Sequence, residues 1–343
     1  MGDIQTDART FPITLKVAIS IPIIGDRSIK NAPPLEGFSY REIPFEDYRH
    51  KSKMIDGNGE LQIDYHFAVH GENDNRTILC LEKEQTHIIE HDKPANALGF
   101  LFGTDFEALL RPIHAAYEES LFMYFSLLHL FKEGDVYRKH LFYEYEAQEG
   151  IVKNTEKIST YSANMATLVK NPMVIEESER DELCSFLSTH SQAYHVLKNV
   201  VIGDLEFTYH IVDEVTNYKN LITPLEVMFL DNARDGKKEM LSKRIGVFIG
   251  TTDDEVRQIY NDMKQHYTSR SDAVHEGREC GITPLTLNDL RSLVRRATTK
   301  YSAYAISELS TNPSITFADI KSKLIPTLIG EVQIKNDADF WSV

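Results

Sequence analysis

Cysteine is scarce in this chain, with Cys80, Cys184 and Cys280 the only three in 343 residues. They are odd in number and widely spaced, and no Cys-x-x-Cys pair occurs. That excludes a disulfide framework and argues against a thiolate zinc site, leaving reduced, packed thiols as the expectation. Long charge-free apolar runs are also missing, and none reaches the roughly 20 residues that cross a bilayer. The opening Met-Gly-Asp-Ile-Gln-Thr-Asp-Ala-Arg lacks the basic and apolar regions of a secretory leader, and the acid directly after Gly2 does not favour lipidation. The expectation is a cytoplasmic protein without a membrane partner. No Gly-Lys-Ser/Thr follows the glycines at Gly246 and Gly250, so a phosphate-cradling loop is excluded. A Gly-x-Ser-x-Gly element and a dinucleotide fingerprint are likewise absent. Positive charge is in deficit too, and a net charge of −15 argues against a general nucleic-acid coat.

The acidity is unevenly placed. Residues 1–199 carry 31 acidic and 20 basic residues, whereas residues 200–343 carry 21 and 17. In the back half Arg291, Arg295, Arg296 and Lys300 gather on one helical segment, a candidate phosphate-binding strip set against the plainer reading of a solvated face.

The first hundred residues read as β-rich. Ile13, Leu15, Val17, Ile19 and Ile21 alternate strictly, which predicts a strand buried on one face and ended by Pro22 and Gly25-Asp26. Leu61, Ile63, Tyr65 and Phe67 repeat the alternation, and Ile78 to Leu81 add a third apolar segment after a turn-rich stretch. From residue 104 the period becomes helical through Phe106, Leu109, Leu110, Ile113, Tyr117, Leu121 and Tyr124, and Leu121 to Phe131 is apolar enough for a central core helix that Gly134-Asp135 stops. Leu141 to Tyr145 predicts one more strand.

Beyond Asn171-Pro172 and the acidic run Glu176 to Glu179 everything reads helical. One helix carries Leu183, Phe186, Leu187, Tyr194 and Leu197, and another Leu205, Tyr209, Val212 and Val215. A third carries Ile222, Leu225, Met228 and Phe229, with Thr223-Pro224 marking one place where it could begin, and a short one ends at Gly250. Thr283-Pro284 opens the basic helix, which runs through Leu290, Val294, Tyr301 and Ala305. The fold class expected is α+β, with a β-rich domain and helical extension over residues 1–175, a helical bundle over 180–332, and a tail over 333–343 that holds the only tryptophan, Trp341.

The stretch with most chemistry is Tyr267-Thr-Ser-Arg270-Ser271-Asp272-Ala-Val274-His275-Glu276-Gly277. Val256, Ile259, Tyr260, Met263, Tyr267 and Val274 predict a long helix, opened by Thr251 and Thr252 and closed at Gly277. Arg270 and His275 then stand in its last two turns, about 7.5 Å apart along the axis and about 140° apart around it. Arginine supplies a permanently charged fork suited to phosphate oxygens, and histidine titrates near neutrality. Such a pair can transfer a phosphodiester to a neighbouring hydroxyl without a metal.

The run Pro224-Leu-Glu226-Val-Met-Phe229, then Lys243-Arg-Ile-Gly-Val-Phe248, then Tyr267-x-x-Arg270-Ser271-x-x-Val274-His275-x-Gly277 resembles the HEPN superfamily of helical ribonucleases, in the branch of the ApeA antiphage protein, over roughly residues 180–332. The resemblance implies a metal-independent endoribonuclease acting on single-stranded RNA (tRNA, mRNA or rRNA) without a cofactor. It implies a homodimer formed through the helical domain, the two motifs facing each other across a cleft. His275 is then general base or acid at the ribose 2′-hydroxyl or leaving oxygen, and Arg270 holds the scissile phosphate. Ser271 and Asp272 orient either group, Glu226 steadies Arg270, Tyr267 supports it, and the basic strip binds RNA. The β-rich front becomes a sensor or restraint answering a phage-derived trigger. Ser271 departs from the Asn, Asp or His that follows the arginine in many active members.

Two other readings compete. One is a helical module of the same kind that binds RNA, a nucleotide or a protein without cutting, with Arg270 paired to Asp272 or Glu276 on its own helix. The other is a metalloprotease, because His87-Ile-Ile-Glu90-His91 matches an inverted zinc-protease pattern, which requires a helix there.

Overall fold

The computed structural model describes residues 11–44, 47, 77–91, 104–138, 140–147, 152–159, 171–209, 213–231, 236–275, 282–335 and 340–341. The chain divides into two compact units. One comprises Met1–Phe122 with Asp135–Arg180, and the other Met123–Gly134 with Asp181–Val343. The class is α+β, an N-terminal antiparallel sheet followed by a helical region.

In the first unit β1 (Phe11–Ile24), β2 (Ser39–Pro44), β3 (Thr77–His91), β4 (Tyr137–Arg138), β5 (His140–Ala147) and β6 (Val152–Ser159) form a sheet in the order β2-β3-β1-β5-β6. The short β4 pairs with the end of β1. All pairings are antiparallel. The alternation in β1 has the consequence its spacing dictates, since Ile13, Leu15, Val17, Ile19 and Ile21 are all buried. Pro22 does not end the strand, which continues to Ile24. The strand expected at Leu61 to Phe67 lies outside the described residues.

α1 (Thr104–Phe131) begins in the sheet unit and ends in the helical one. Its first half meets β3 through polar contacts, with His87 Nε2 3.0 Å from the Tyr117 hydroxyl and that hydroxyl donating to Gln85 Oε1 at 3.1 Å. These residues belong to a strand, so the zinc-protease helix is not formed. In extended geometry His87 and His91 stand about 13 Å apart along the chain.

The helical unit comprises the last turns of α1, α2 (Arg180–Leu197), α3 (Gly203–Tyr209), α4 (Glu214–Phe229), α5 (Lys237–Ile249), α6 (Asp253–His275), α7 (Pro284–Thr311) and α8 (Phe317–Ile334). A π-helical turn, Lys198–Ile202, joins α2 to α3. One expectation is corrected here. Val215 belongs to α4 and not to the helix of Leu205 and Tyr209, because Asp213 caps α4, its Oδ2 accepting from Thr216 N at 2.7 Å. Pro224 is consequently inside α4 rather than at its start.

Rings of Phe229, Phe248, Tyr301 and Phe317 pack together at the centre of this unit, with Leu225, Ile245, Met263 and Val294 fully buried around them. α5 and α6 approach so closely that a Cβ on Gly246 would lie 2.9 Å from the Val256 carbonyl oxygen. The C-terminal carbonyls of α4 are satisfied by cations from two other helices. Arg244 Nη1 donates to Phe229 O at 2.7 Å and Lys321 Nζ to Val227 O at 2.6 Å. Trp341 docks on the unit, its ring 4.8 Å from that of Tyr260 and under the Lys243 ammonium. No helix among the described residues is long and apolar enough to cross a membrane.

Candidate active site on helix α6

α6 starts where the sequence places its cap. Glu255 N is bonded to Thr252 Oγ1 at 3.2 Å, and the Glu255 carboxylate accepts from Thr251 N and Oγ1 at 2.9 and 2.6 Å. Those bonds, with Arg296 beside it, bring the Glu255 carboxyl down to about 2. Arg270 stands within the last two turns and His275 is the final residue of the helix. The His275 side chain and Gly277 lie outside the described residues.

Arg270 turns toward α4. Its Nη2 donates to Glu226 Oε2 at 3.3 Å, and the Tyr267 hydroxyl donates to Glu226 Oε1 at 2.9 Å. One carboxylate thus spans two residues of α6 from the last turn of α4, and the Arg270 guanidinium also lies over the Tyr267 ring at 5.7 Å. Burial and the adjacent Glu226 push the Tyr267 phenol up, so it remains a hydrogen-bond donor through the neutral range. Among the described residues the partner of Arg270 is Glu226, 44 positions away, and not Asp272; Glu276 lies outside them.

The ion pair leaves much of the guanidinium unengaged. Arg270 has 26% of its side chain exposed, makes this single long hydrogen bond, and keeps a buried Nε with no hydrogen-bond partner among the described residues. Five N–H donors in a rigid fork can serve Glu226 and an incoming phosphate together. Ser271 and Asp272 are half-buried on the same turn, and no side-chain hydrogen bond occupies them among the described residues.

One helical turn before Arg270, His266 is buried with its Nδ1 2.7 Å from the Tyr218 hydroxyl. Burial lowers the histidine and raises the Tyr218 phenol to about 12, so the pair is neutral and ties α4 to α6 just below the arginine. Its only sequence signal is two polar rings on otherwise apolar helix faces.

The basic strip does not form one face. Arg291 and Arg295 lie four residues apart on one side of α7, Arg296 and Lys300 on another, because residues 291 and 296 are separated by about 140° around the axis. Arg295 Nη1 is bonded to Glu133 Oε2 at 2.8 Å, Arg296 pairs with Glu255, and the Lys300 ammonium lies over the Phe248 ring at 5.5 Å. Among the described residues these partners hold the four on two sides of α7.

Composition also concealed a buried polar cluster in this unit. His129 Nδ1 lies 2.6 Å from Glu206 Oε2 and its ring stacks on Tyr209 at 3.9 Å, all three buried. An isolated histidine on an apolar stripe reads as core, and this one is, but with a carboxylate 77 positions away. Among the described residues no group of three or more histidine, cysteine or acidic side chains is placed to hold a metal. The chain matches no protein-family model, no curated protein and no solved structure.

Proposed function

We propose that the chain is a metal-independent endoribonuclease of HEPN type whose chemistry is carried by Arg270 and His275. The observation that carries this reading is the half-engaged Arg270 guanidinium, fixed from one side by Glu226 and Tyr267, on the helix whose last residue is His275. In this mechanism His275 takes the proton of a ribose 2′-hydroxyl, or returns one to the leaving 5′-oxygen. Arg270 stabilises the charge that develops on the phosphorane oxygens. The 2′-oxygen attacks the adjacent phosphorus and the 5′-oxygen leaves, giving a 2′,3′-cyclic phosphate. Glu226 and Tyr267 act through Arg270 by holding its orientation. A homodimer bringing two such helices together, and control of the nuclease by the sheet unit in antiphage defence, belong to the same proposal.

The ion pair of Arg270 with Glu226 supports one other reading, a module that binds RNA without cutting it, since an arginine already paired can be purely structural. The two are separated by incubating purified full-length protein and its His275→Ala and Arg270→Ala variants with labelled RNA in EDTA. Under the nuclease reading the wild type cuts to cyclic-phosphate ends, and each variant loses about 10²-fold or more, the scale of a lost general acid–base or charge-stabilising group. Cleavage that survives His275→Ala, or that EDTA abolishes, overturns it. RNA retained by the wild type without any cutting establishes the binding module.

A further inference from the structure

A second pair of incompletely engaged arginines lies in the helical unit, on an element other than those that hold Arg270. Arg291 and Arg295 lie one turn apart on α7 with only 12% and 17% of their side chains exposed. Each guanidinium carries five N–H donors. Among the described residues Arg295 makes one hydrogen bond, to Glu133 Oε2 at 2.8 Å, and Arg291 makes one long one, to the Thr208 carbonyl at 3.4 Å. The Arg291 to Glu133 approach, at 3.8 Å, is an ion pair without a hydrogen bond. The Nε atoms of both arginines are buried without a hydrogen-bond partner among the described residues. The Arg291 guanidinium is packed over the Tyr209 ring at 4.9 Å, which fixes its plane and supplies no acceptor.

Buried donors left unpaired are costly, and a native protein keeps them where an acceptor arrives from outside. Here two guanidiniums share one carboxylate. The other acid of this neighbourhood, Glu206, accepts from or pairs with His129. Glu133 itself stands beyond the last helical residue of α1, Phe131, and just before Gly134, with a quarter of its side chain exposed. Its carboxylate is therefore placed by the two arginines and by the Tyr209 hydroxyl, which donates to Oε2 at 3.4 Å, rather than by a helix, and a better ligand can displace it.

We propose that Arg291 and Arg295 form a receptor for a phosphoryl dianion, with Glu133 as the resident carboxylate that such a ligand displaces. Two forks one turn apart offer more donors than a monocarboxylate can take up, and a tetrahedral dianion presents at least three acceptor oxygens. Both a free phosphate compound and a terminal phosphate monoester of an RNA strand carry this chemistry, whereas an internal phosphodiester, a monoanion with two non-bridging oxygens, does not. The low exposure of the two arginines favours the free compound.

The test uses the full-length chain carrying Arg270→Gln, so that an anion held by Arg270 does not contribute, and reads pyrophosphate binding by calorimetry and thermal shift. Saturable binding is expected, weakened at least tenfold by adding Arg295→Gln and tightened several-fold by adding Glu133→Gln, which removes the competitor. An ion pair of purely structural role gives no tightening in the Glu133 variant. A single-stranded oligoribonucleotide bearing a 5′-phosphate that displaces pyrophosphate identifies an RNA end as the source, and one that does not identifies a free phosphate compound. Absence of pyrophosphate and oligoribonucleotide binding in both the Arg270→Gln protein and the one that also carries Glu133→Gln overturns the proposal. So does weaker binding in the latter. Should Arg295→Gln fail to fold, the Glu133 comparison decides alone.

Discussion

Arg270 and Glu226 illustrate how a single residue acquires its role from a neighbour that sequence spacing does not name. The carboxylate fixes one edge of the guanidinium and Tyr267 fixes the carboxylate, so each substitution has a distinct expected effect. Glu226→Gln keeps the shape and removes the charge. Under the proposed nuclease reading its expected result is a fall in kcat of about 10-fold with little change in KM, because misorientation of a catalytic group is felt in the transition state. Steady-state kinetics on a short oligoribonucleotide reads this, and a rise in KM alone would instead assign Glu226 to substrate binding. Tyr267→Phe deletes one hydrogen bond to that carboxylate. It is expected to lower stability by about 1 kcal/mol in urea unfolding and to shift kcat in the same direction as Glu226→Gln, by less. The arginine, the histidine and their helix were legible in the sequence, since both the periodicity and the spacing are local. Glu226 as the partner of Arg270 came from the family resemblance alone, since an ion pair closed over 44 positions leaves no local pattern.

Among the elements, the α5–α6 contact is set by glycine and the α7 start by a hydroxyl. A methyl group on Gly246 meets backbone of α6, which moves only as a whole helix. Gly246→Ala is expected to destabilise by about 1–3 kcal/mol, read in the urea midpoint, although alanine is the better helix former. An unchanged or raised midpoint would mean that the two helices are free to separate. Thr283 caps α7 by accepting from Thr286 N at 3.2 Å, and its own N–H donates to Thr286 Oγ1 at 2.8 Å. Thr283→Ala should therefore cost about 1 kcal/mol. Caps and stops of this kind were visible as Thr-Pro, Thr-Thr and Gly-Asp signals. The start of α4 was misjudged because a proline reads as a boundary, whereas Asp213 had already capped the helix eleven residues earlier.

At the scale of the molecule, the units do not follow one cut in the chain. Met123–Gly134 belongs with residues 181–343, and it brings His129 to Glu206 and Glu133 to Arg295. A fragment starting at Asp181 loses the His129 partner of Glu206 together with the rest of Met123–Gly134, which belongs to this unit. It is expected to lack a cooperative melt by circular dichroism, while a fragment starting at Met123 regains one. Acid sensitivity is also collective. Burial lowers His190 and His266 below the ordinary histidine value, so the unfolded chain binds protons that the folded chain refuses. Stability is complete above about 6.5 and falls as pH drops below it toward the lowered folded values. The melting temperature should thus be lower at pH 5.5 than at 7.5, and the opposite order would mean that these imidazoles are paired as cations. Glu255 contributes in a separate window, its stabilisation lost as pH falls from about 4.5 to about 2.

By itself the sequence determined the α+β class, the buried face of β1, the starts of α6 and α7 and the placement of Arg270 and His275 near one helix end. Each follows from repeats of two or about 3.6 residues and from capping groups next to the helix they cap. Only the tertiary structure decided which oxygens of Glu226 meet Arg270 and Tyr267, that Arg244 and Lys321 close the end of α4, and that the end of α1 belongs to the helical unit. In each case the deciding contact joins groups far apart in the chain. Buried charges take whatever partner folding brings within reach, and no local periodicity encodes it.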